Sequence, residues 1–486
     1  MKDQRTGRTT FNEALGIVGV QKSTQLELPF EGRGEAPSVE RSGQTVPASS
    51  LAMGSTAISI AETALMEAVL EGTNLRQALK RVRKNKGAPG IDGMNVDDLP
   101  DHLIAHWNQL GEDLLTGRYR PHAVRRHDIP KPGGGTRTLG IPTVLDRFIQ
   151  QALLQVLQPI FDETFSEHSH GFRPGRSQHD ALDALWMGLM TREVNWVLDA
   201  DVSGFFEAID HDWLLQMIQH RIGDRRILRL IHKWLRAGVS EEGQWSPSRK
   251  GTPQGAVISP LLANLYLHYV LDLWTHHWRQ SARGTVLIVR YAEDFVLCFG
   301  ERAEAERYRR DLEQRLQQFG LQLHPEKTRL IEFGRKAAVR RRRQGQKRPA
   351  TFTFLGFRHM CGKDRGGRFT VRRKTIGKRL RRTLRRIREE LMRRRHDPLP
   401  SQGVWVRAVV SGYFRYQSVP GNGEAMHSFR RAVCRHWKWA LTRRSQKGRL
   451  PWRRFNRYVS RWVPNVKLHH PLPYVRFGVR PKVGAV

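Results

Sequence analysis

Val286-Leu-Ile-Val-Arg-Tyr-Ala-Glu-Asp-Phe-Val-Leu-Cys-Phe299 is the stretch on which the fold turns. Two short apolar runs, Val286–Tyr291 and Phe295–Phe299, are separated by Ala292-Glu293-Asp294, which predicts a hairpin with acids at its tip. Hairpin tips favour Asn-Gly or other glycine-containing turns, so Glu-Asp there calls for another explanation. Upstream, Trp196-Val-Leu-Asp-Ala-Asp-Val202 reads as a strand. Asp199 and Asp201 are two apart and project from one face, leaving Leu198, Ala200 and Val202 on the other. Two acids on a half-buried strand are unfavourable unless a cation sits beside them, whether a nearby arginine or a metal. Carboxylates from a strand end and a hairpin tip suit Mg2+, which keeps waters and takes few carboxylates plus substrate phosphates. Two such ions, roughly 3.5–4 Å apart, clamp the attacking and leaving oxygens of a phosphoryl transfer.

Between the two acidic segments lies Gly251-Thr-Pro-Gln-Gly-Ala-Val-Ile-Ser-Pro260. Ser259 and Pro260 start a helix through Leu261, Leu262, Leu265 and Leu267. The glycines before it let backbone approach a flat ligand, with Gln254 offering an amide; an ordinary turn before a core helix is the other reading.

The 486 residues carry 83 Lys+Arg against 46 Asp+Glu, a net charge of +37. Such a surplus repels itself in a compact chain, and a polyanion is the usual partner that relieves it. With 39% hydrophobic residues, 13 Trp and 20 Phe, the chain is too apolar for a disordered polycation. Cys298, Cys361 and Cys434 lie far apart, which excludes a disulfide framework or a four-cysteine zinc site and suits a reducing, cytoplasmic interior. No stretch approaches the roughly 18 apolar residues of a membrane span, and the start has no signal-peptide core.

Residues 31–56 hold 13 Gly, Pro, Ser or Thr in 26 positions, so residues 1–59 are expected to be a flexible lead-in. Residues 335–348, with eight Lys/Arg among 14, are expected to be a solvated loop free to meet phosphate. A basic amphipathic helix is expected over 372–395: Leu380, Leu384, Ile387 and Leu391 share a face, and Arg381, Arg382, Arg385 and Arg386 fall largely elsewhere. Only Glu389 and Glu390 offset its 13 Lys/Arg, which points to nucleic-acid contact rather than a solvated face. Residues 405–486 interleave aromatics with basic residues, including Arg443, Arg444, Lys447 and Arg449. Base stacking with phosphate neutralisation explains that pattern, and so does core packing.

An Asp followed by Val-Ser-Gly-Phe-Phe, then Pro-Gln-Gly, then Tyr-Ala-Glu-Asp, in that order, resembles a reverse transcriptase palm. Further matches are Ile129-Pro-Lys-Pro with Arg137 and Gly140-Ile-Pro142, Gly171-Phe-Arg-Pro-Gly-Arg-Ser177, Leu323-His-Pro-Glu-Lys-Thr328 and Phe354-Leu-Gly-Phe357. With the loop Asn85–Gly93 and the C-terminal Arg-Arg-Ser-Gln-Lys-Gly-Arg-Leu450, the chain is similar to group II intron-encoded reverse transcriptase/maturases over roughly residues 60–480.

The resemblance implies an α+β right-hand polymerase, with fingers and palm over residues 60–360 and a helical thumb or maturase domain over 361–486. It implies Asp201, Glu293 and Asp294 as catalytic residues around two Mg2+ ions, with Val202 counted among the metal-holding positions. Lys131, Arg137, Gln254 and Lys327 would meet the nucleotide, and Phe206 would exclude a 2′-hydroxyl. Phe354, Leu355, Gly356 and Phe357 match the primer grip, and the basic helix and C-terminus would hold intron RNA. The implied partners are intron RNA, DNA primer or target, and deoxynucleotide triphosphates, with neither a membrane nor the Cys- and His-rich endonuclease module of some relatives. One departure stands out: Tyr-Ala-Glu-Asp replaces the family's Tyr-Ala-Asp-Asp. Glu293 keeps the charge but extends it by a methylene, which leaves open a splicing maturase with a weakened polymerase site.

Overall fold

The hairpin forms where the two apolar runs require it. This computed structural model describes residues 65–130, 135–241, 244–248, 250–364, 366–445 and 449–478; the lead-in expected over 1–59 lies outside them. In chain order the strands are β1 (Val124–Pro130), β2 (Thr136–Ile141), β3 (Trp196–Ala200), β4 (Val239–Glu241), β5 (Gln244–Ser246), β6 (Val286–Tyr291), β7 (Asp294–Phe299), β8 (Arg329–Glu332), β9 (Phe352–Phe354), β10 (Phe357–Lys363) and β11 (Phe369–Thr375). They make three sheets, ordered β2-β1-β4-β5, β6-β7-β3-β8 and β11-β10-β9. With the helices between and after them, the architecture is α+β.

Two compact units result. Within the described residues, the first comprises 65–160, 215–249 and 253–258, and the second 161–214, 250–252 and 259–478. In the first, the sheet β2-β1-β4-β5 accompanies helices that include Leu99–Leu115 and Arg225–Arg236. Its interior holds Asp146, which accepts hydrogen bonds from the Tyr119 hydroxyl at 3.0 Å, the Trp234 indole at 2.9 Å and the Thr143 hydroxyl at 2.8 Å. A buried carboxylate is tolerated because its lone pairs are so filled.

The second unit is built on β6-β7-β3-β8, antiparallel throughout. Val197, Val289 and Val296 pack against Ala181, Leu182, Leu185 and Leu189 of helix Gln178–Thr191. On the other face the Phe299 ring meets Tyr308 of helix Arg302–Gln318. Both faces being covered, the two runs are apolar at every position but Arg290 instead of alternating. The registers pair Asp199 with Val296 and Arg329, and Ala200 with Phe295, so the next step places Asp201 beside Asp294. The tip is a two-residue turn, Ala292-Glu293, closed by the pair Tyr291–Asp294.

Helices Gly377–Arg393, Leu399–Gln417, Gly423–Thr442 and Trp452–Trp462 surround a core that includes Ile387, Leu391, Phe414, Phe429, Trp437 and Phe455. Most of the C-terminal aromatics are thus packing residues. Trp452 is an exception, half exposed with Lys438 over its ring. The helix expected over 372–395 begins only at Gly377, since residues up to Thr375 pair with β10 and Arg373 is buried against Asp183. The loop expected at 335–348 holds a helix, Arg335–Arg343. Ala337 buries fully on its inner side, and Glu332 pairs with both Arg340 and Arg341. Among the described residues, no helix is long and apolar enough to cross a membrane.

Candidate active site

The carboxylates singled out in the sequence meet in one cleft of the second unit. Asp199, Asp201, Glu293 and Asp294 line it together with Lys327, Arg329, Phe172, Leu355, Gly356, Arg379 and Tyr416. Lys327 Nζ donates to Asp201 Oδ2 at 2.7 Å, and Arg329 Nη2 to Asp199 Oδ2 at 3.0 Å. The reduced solvation of the cleft, then the negative charges of Glu293, Asp201 and Asp199, push the Asp294 carboxyl up to about 6, with Lys327 pulling the other way. Burial also raises Asp199, against the opposing pull of Arg329. Burial and the neighbouring acids thus oppose ionisation of Asp294, as expected where carboxyls crowd one site. No three carboxylate, histidine or cysteine side chains among the described residues converge as a metal cage. Asp201 is instead turned onto the lysine.

The backbone around Asp201 is fixed from the segment before Lys327. Asp201 O accepts from His324 N at 2.7 Å and Ser203 N donates to Gln322 O at 2.8 Å, flanking the bridge Val202–Leu323. Those bonds belong to Asp201 and Ser203, not to Val202 itself. Phe206 follows in a single helical turn, Phe205–Ala208, with its ring half-buried. Its carbonyl accepts from Thr252 N at 2.8 Å. Gly251, at φ +82°, lies so close that a Cβ would stand 2.7 Å from Phe206 O. The glycine of that loop is thus required by contact with the backbone beside the ring.

Strained backbone gathers at this cleft. Of the four non-glycine residues with positive φ among the described residues, Phe172 (55°), Ala292 (54°) and Leu355 (45°) all line it. Such conformations cost on the order of 1–3 kcal/mol each and persist only where the surroundings impose them. Leu355 and Gly356 form the two-residue turn between β9 and β10, and both have positive φ, as a type I′ hairpin requires. Tyr416 Oη donates to Leu355 O at 2.8 Å, and Arg379 lies against Gly356. Phe354 and Phe357 anchor this turn from the core, at 4% and 0% exposure.

The remaining expected residues stand elsewhere. Arg137 and Gln254 belong to the first unit, where Gln254 O accepts from Gly140 N at 2.9 Å; Lys131 lies outside the described residues. Arg381, Arg382, Arg385 and Arg386 are exposed on helix Gly377–Arg393. Arg443, Arg444 and Arg449 are exposed too, and Lys447 lies outside the described residues. Sequence reasoning missed Arg379 and Tyr416, which carry no local signal. It also passed over Arg290, whose charge interrupts an otherwise apolar strand and so announces a buried partner.

Acids from a strand end and an adjoining hairpin tip, with a second strained hairpin lining the same cleft, fit a right-hand polymerase fold. Residues 129–359 match the family model described as reverse transcriptase (RNA-dependent DNA polymerase). Protein YkfC of Escherichia coli (strain K12) is 34% identical over 327 residues, 58% of this chain and 85% of that protein. Group II intron-encoded protein LtrA of Lactococcus lactis subsp. cremoris is 38% identical over 214 residues, 42% of this chain and 34% of LtrA. The mitochondrial nuclear intron maturase 1 of Arabidopsis thaliana is 34% identical over 98 residues, 20% of this chain and 13% of that one. The chain belongs to the group II intron reverse transcriptase/maturase family. It spans most of YkfC but only about a third of LtrA.

Proposed function

We propose that this protein is an RNA-directed DNA polymerase of a group II intron that also binds the intron RNA to promote splicing and mobility. The observation that carries the reading is the cleft that Asp201, Glu293 and Asp294 line together at a strained hairpin tip. Asp201, Val202 (through its main chain), Glu293 and Asp294 would hold two Mg2+ ions. Hard oxygen donors fit that ion, and the Asp294 carboxyl, raised by burial and by the charges of Glu293, Asp201 and Asp199, supports a cation beside it. Bound there, the ions supply Lewis-acid activation of the primer 3′-hydroxyl and charge neutralisation at the leaving pyrophosphate.

The chain's own groups do the rest. Lys327 leaves Asp201 and turns its ammonium to the departing pyrophosphate. Phe206 closes the space a 2′-hydroxyl would need. The Leu355–Gly356 turn, held by Tyr416 and flanked by Arg379, grips the primer strand. By family resemblance alone, Lys131, Arg137 and Gln254 are assigned to the incoming triphosphate. On the same basis residues 60–360 are assigned to fingers and palm and 361–486 to thumb and maturase domain. The exposed Arg381, Arg382, Arg385, Arg386, Arg443, Arg444 and Arg449, with Lys447, are assigned to intron RNA, and the setting to the cytoplasm, where three free thiols suit a reducing medium.

Primer extension on an RNA template with deoxynucleotides and Mg2+ tests this. Wild type should extend the primer, and Asp201→Ala should abolish synthesis while leaving RNA affinity nearly intact, because phosphate grip is spread over many cations. RNA binding that collapses with Asp201→Ala would make the residue structural. Glu293 favours a second reading, a splicing cofactor without synthesis; a wild type that binds and splices intron RNA but never extends a primer would establish it.

A further inference from the structure

Arg290 sits inside β6, two residues before the strained Ala292, and is 0% exposed. Its Nε and Nη2 donate to the Asp272 carboxylate at 2.9 and 2.5 Å. Its Nη1 donates to Asn264 Oδ1 at 2.9 Å and to Ala292 O at 3.1 Å. Asn264 Nδ2 in turn donates to Gly171 O at 2.7 Å. Gly171 lies directly on the hairpin tip: a Cβ there would come within 2.3 Å of Ala292 N. Asp272 and Asn264 are 4% and 1% exposed, so the whole arrangement is closed from water.

Both partners come from one helical rod that runs Ser259–Leu267, His268–Asp272 and Leu273–Trp278, whose middle segment is a π-helix. In a uniform α-helix, residues eight apart are rotated by about 80° and would not meet one side chain. The extra residue in the wide turn sets the later half back by about 100°, which brings Asp272 to within roughly 20° of Asn264. The π-turn is therefore the device that lets one helix present both a carboxylate and an amide to the same guanidinium. It is also destabilising by itself, and such turns gather at functional sites.

We propose that Arg290, held by Asp272 and Asn264, is a positioning residue that keeps Ala292 in its left-handed conformation and thereby sets where Glu293 and Asp294 stand. An alanine at that turn lacks glycine's freedom, so the conformation must be imposed from outside. The bond from Nη1 to Ala292 O does so on one side and the Gly171 backbone on the other. The guanidinium fork is needed because two directions of hydrogen bonding, toward the helix and toward the turn, must be met at once. The inference rests on the polymerase reading for its rate effects, but not for its metal effects.

The test uses the full chain and four readouts: Mn2+ affinity by electron paramagnetic resonance, single-turnover nucleotide addition at saturating Mg2+, KM for deoxynucleotide, and melting temperature. Arg290→Lys keeps the charge and loses the fork. It should weaken Mn2+ binding by about 10–100-fold, the usual effect of removing an outer-shell partner, and slow addition comparably with KM little changed. Ala292→Gly added to Arg290→Lys should recover several-fold of both, since glycine reaches the left-handed region unaided. Asn264→Ala, which leaves the ion pair intact, covers the case in which Arg290→Lys does not fold, and should weaken Mn2+ binding by about 3–10-fold. Lowered melting temperature with unchanged Mn2+ affinity, or no recovery from Ala292→Gly, would overturn the proposal and leave Arg290 a core ion pair. A wild type that never extends primers sinks the polymerase reading, while the Mn2+ arm still decides the role of Arg290.

Discussion

Removing the Lys327 ammonium should split metal binding from turnover. Lys327 Nζ lies 2.7 Å from Asp201 Oδ2, with 62% of the lysine side chain and 28% of the aspartate exposed. An ion pair that open is worth at most about 1 kcal/mol. That is the free energy a divalent ion must overcome to claim Asp201, so Lys327→Ala should improve half-saturation by Mg2+ by no more than about 5-fold. Turnover should move the other way. If the ammonium neutralises or protonates the leaving pyrophosphate, its loss should slow addition by about 10²–10⁴-fold, the range of a positioned proton donor. Primer extension on an RNA template, with Mg2+ titrated at saturating deoxynucleotide, yields both quantities from one data set. Lys327→Arg restores the charge and should return the metal requirement toward wild type while recovering the rate only in part. Weaker Mg2+ binding in Lys327→Ala would refute the competition, and an unchanged maximal rate would leave Lys327 a solvated lysine.

Phe206→Val should relax discrimination against ribonucleotides by about 10–200-fold, the worth of one filled apolar contact, measured as the ratio of kcat/KM for deoxy- and ribonucleotide; an unchanged ratio would make the ring a packing residue. Glu293→Asp should speed addition by roughly 10-fold without altering RNA affinity, because catalytic geometry is sensitive to errors near 1 Å. Identical rates for the two proteins would show that the first acid of the tip is dispensable. The raised Asp294 carboxyl gives a pH dependence with a definite sign. The folded state holds that proton more tightly than the unfolded, so without metal the melting temperature of wild type relative to Asp294→Asn should climb as pH falls from 7 through about 6 toward 4, and that difference should be lost as pH rises through about 6. Activity should fall below the same pH at low Mg2+, and saturating Mg2+ should move that limb downward; a limb indifferent to Mg2+ would exclude Asp294 as a ligand. Affinity for structured RNA should fall steeply with salt as bound cations release counterions, and a flat log–log plot would mean that the net charge of +37 is not the binding surface.

Local pattern in the sequence determined the acidic hairpin and the strand that carries Asp199. Apolar runs of strand length bracketing Ala292-Glu293-Asp294 admit little but a hairpin, and alternation alone puts Asp199 and Asp201 on one face. Both are short-range consequences of a two-residue repeat, so they survive without knowledge of anything distant. The helix begun by Ser259-Pro260 and the apolar face of Leu380, Leu384, Ile387 and Leu391 were legible for the same reason. What depended on partners far along the chain was not. The arginines after Arg335 could be a loop or a helix until Glu332 was found opposite Arg340 and Arg341. Residues 372–375 carry helix-compatible arginines, yet pairing with β10 and the burial of Arg373 against Asp183 make them a strand. The C-terminal aromatics could have faced bases or one another, and only the packing of Phe414, Phe429, Trp437 and Phe455 decided between them. The geometry of the acidic tip was likewise beyond the sequence. A helical rod with one widened turn, a fully buried arginine and a glycine 121 positions before Ala292 (292 − 171) come together to hold it, and long-range hydrogen bonds of that kind leave no periodic trace in the chain.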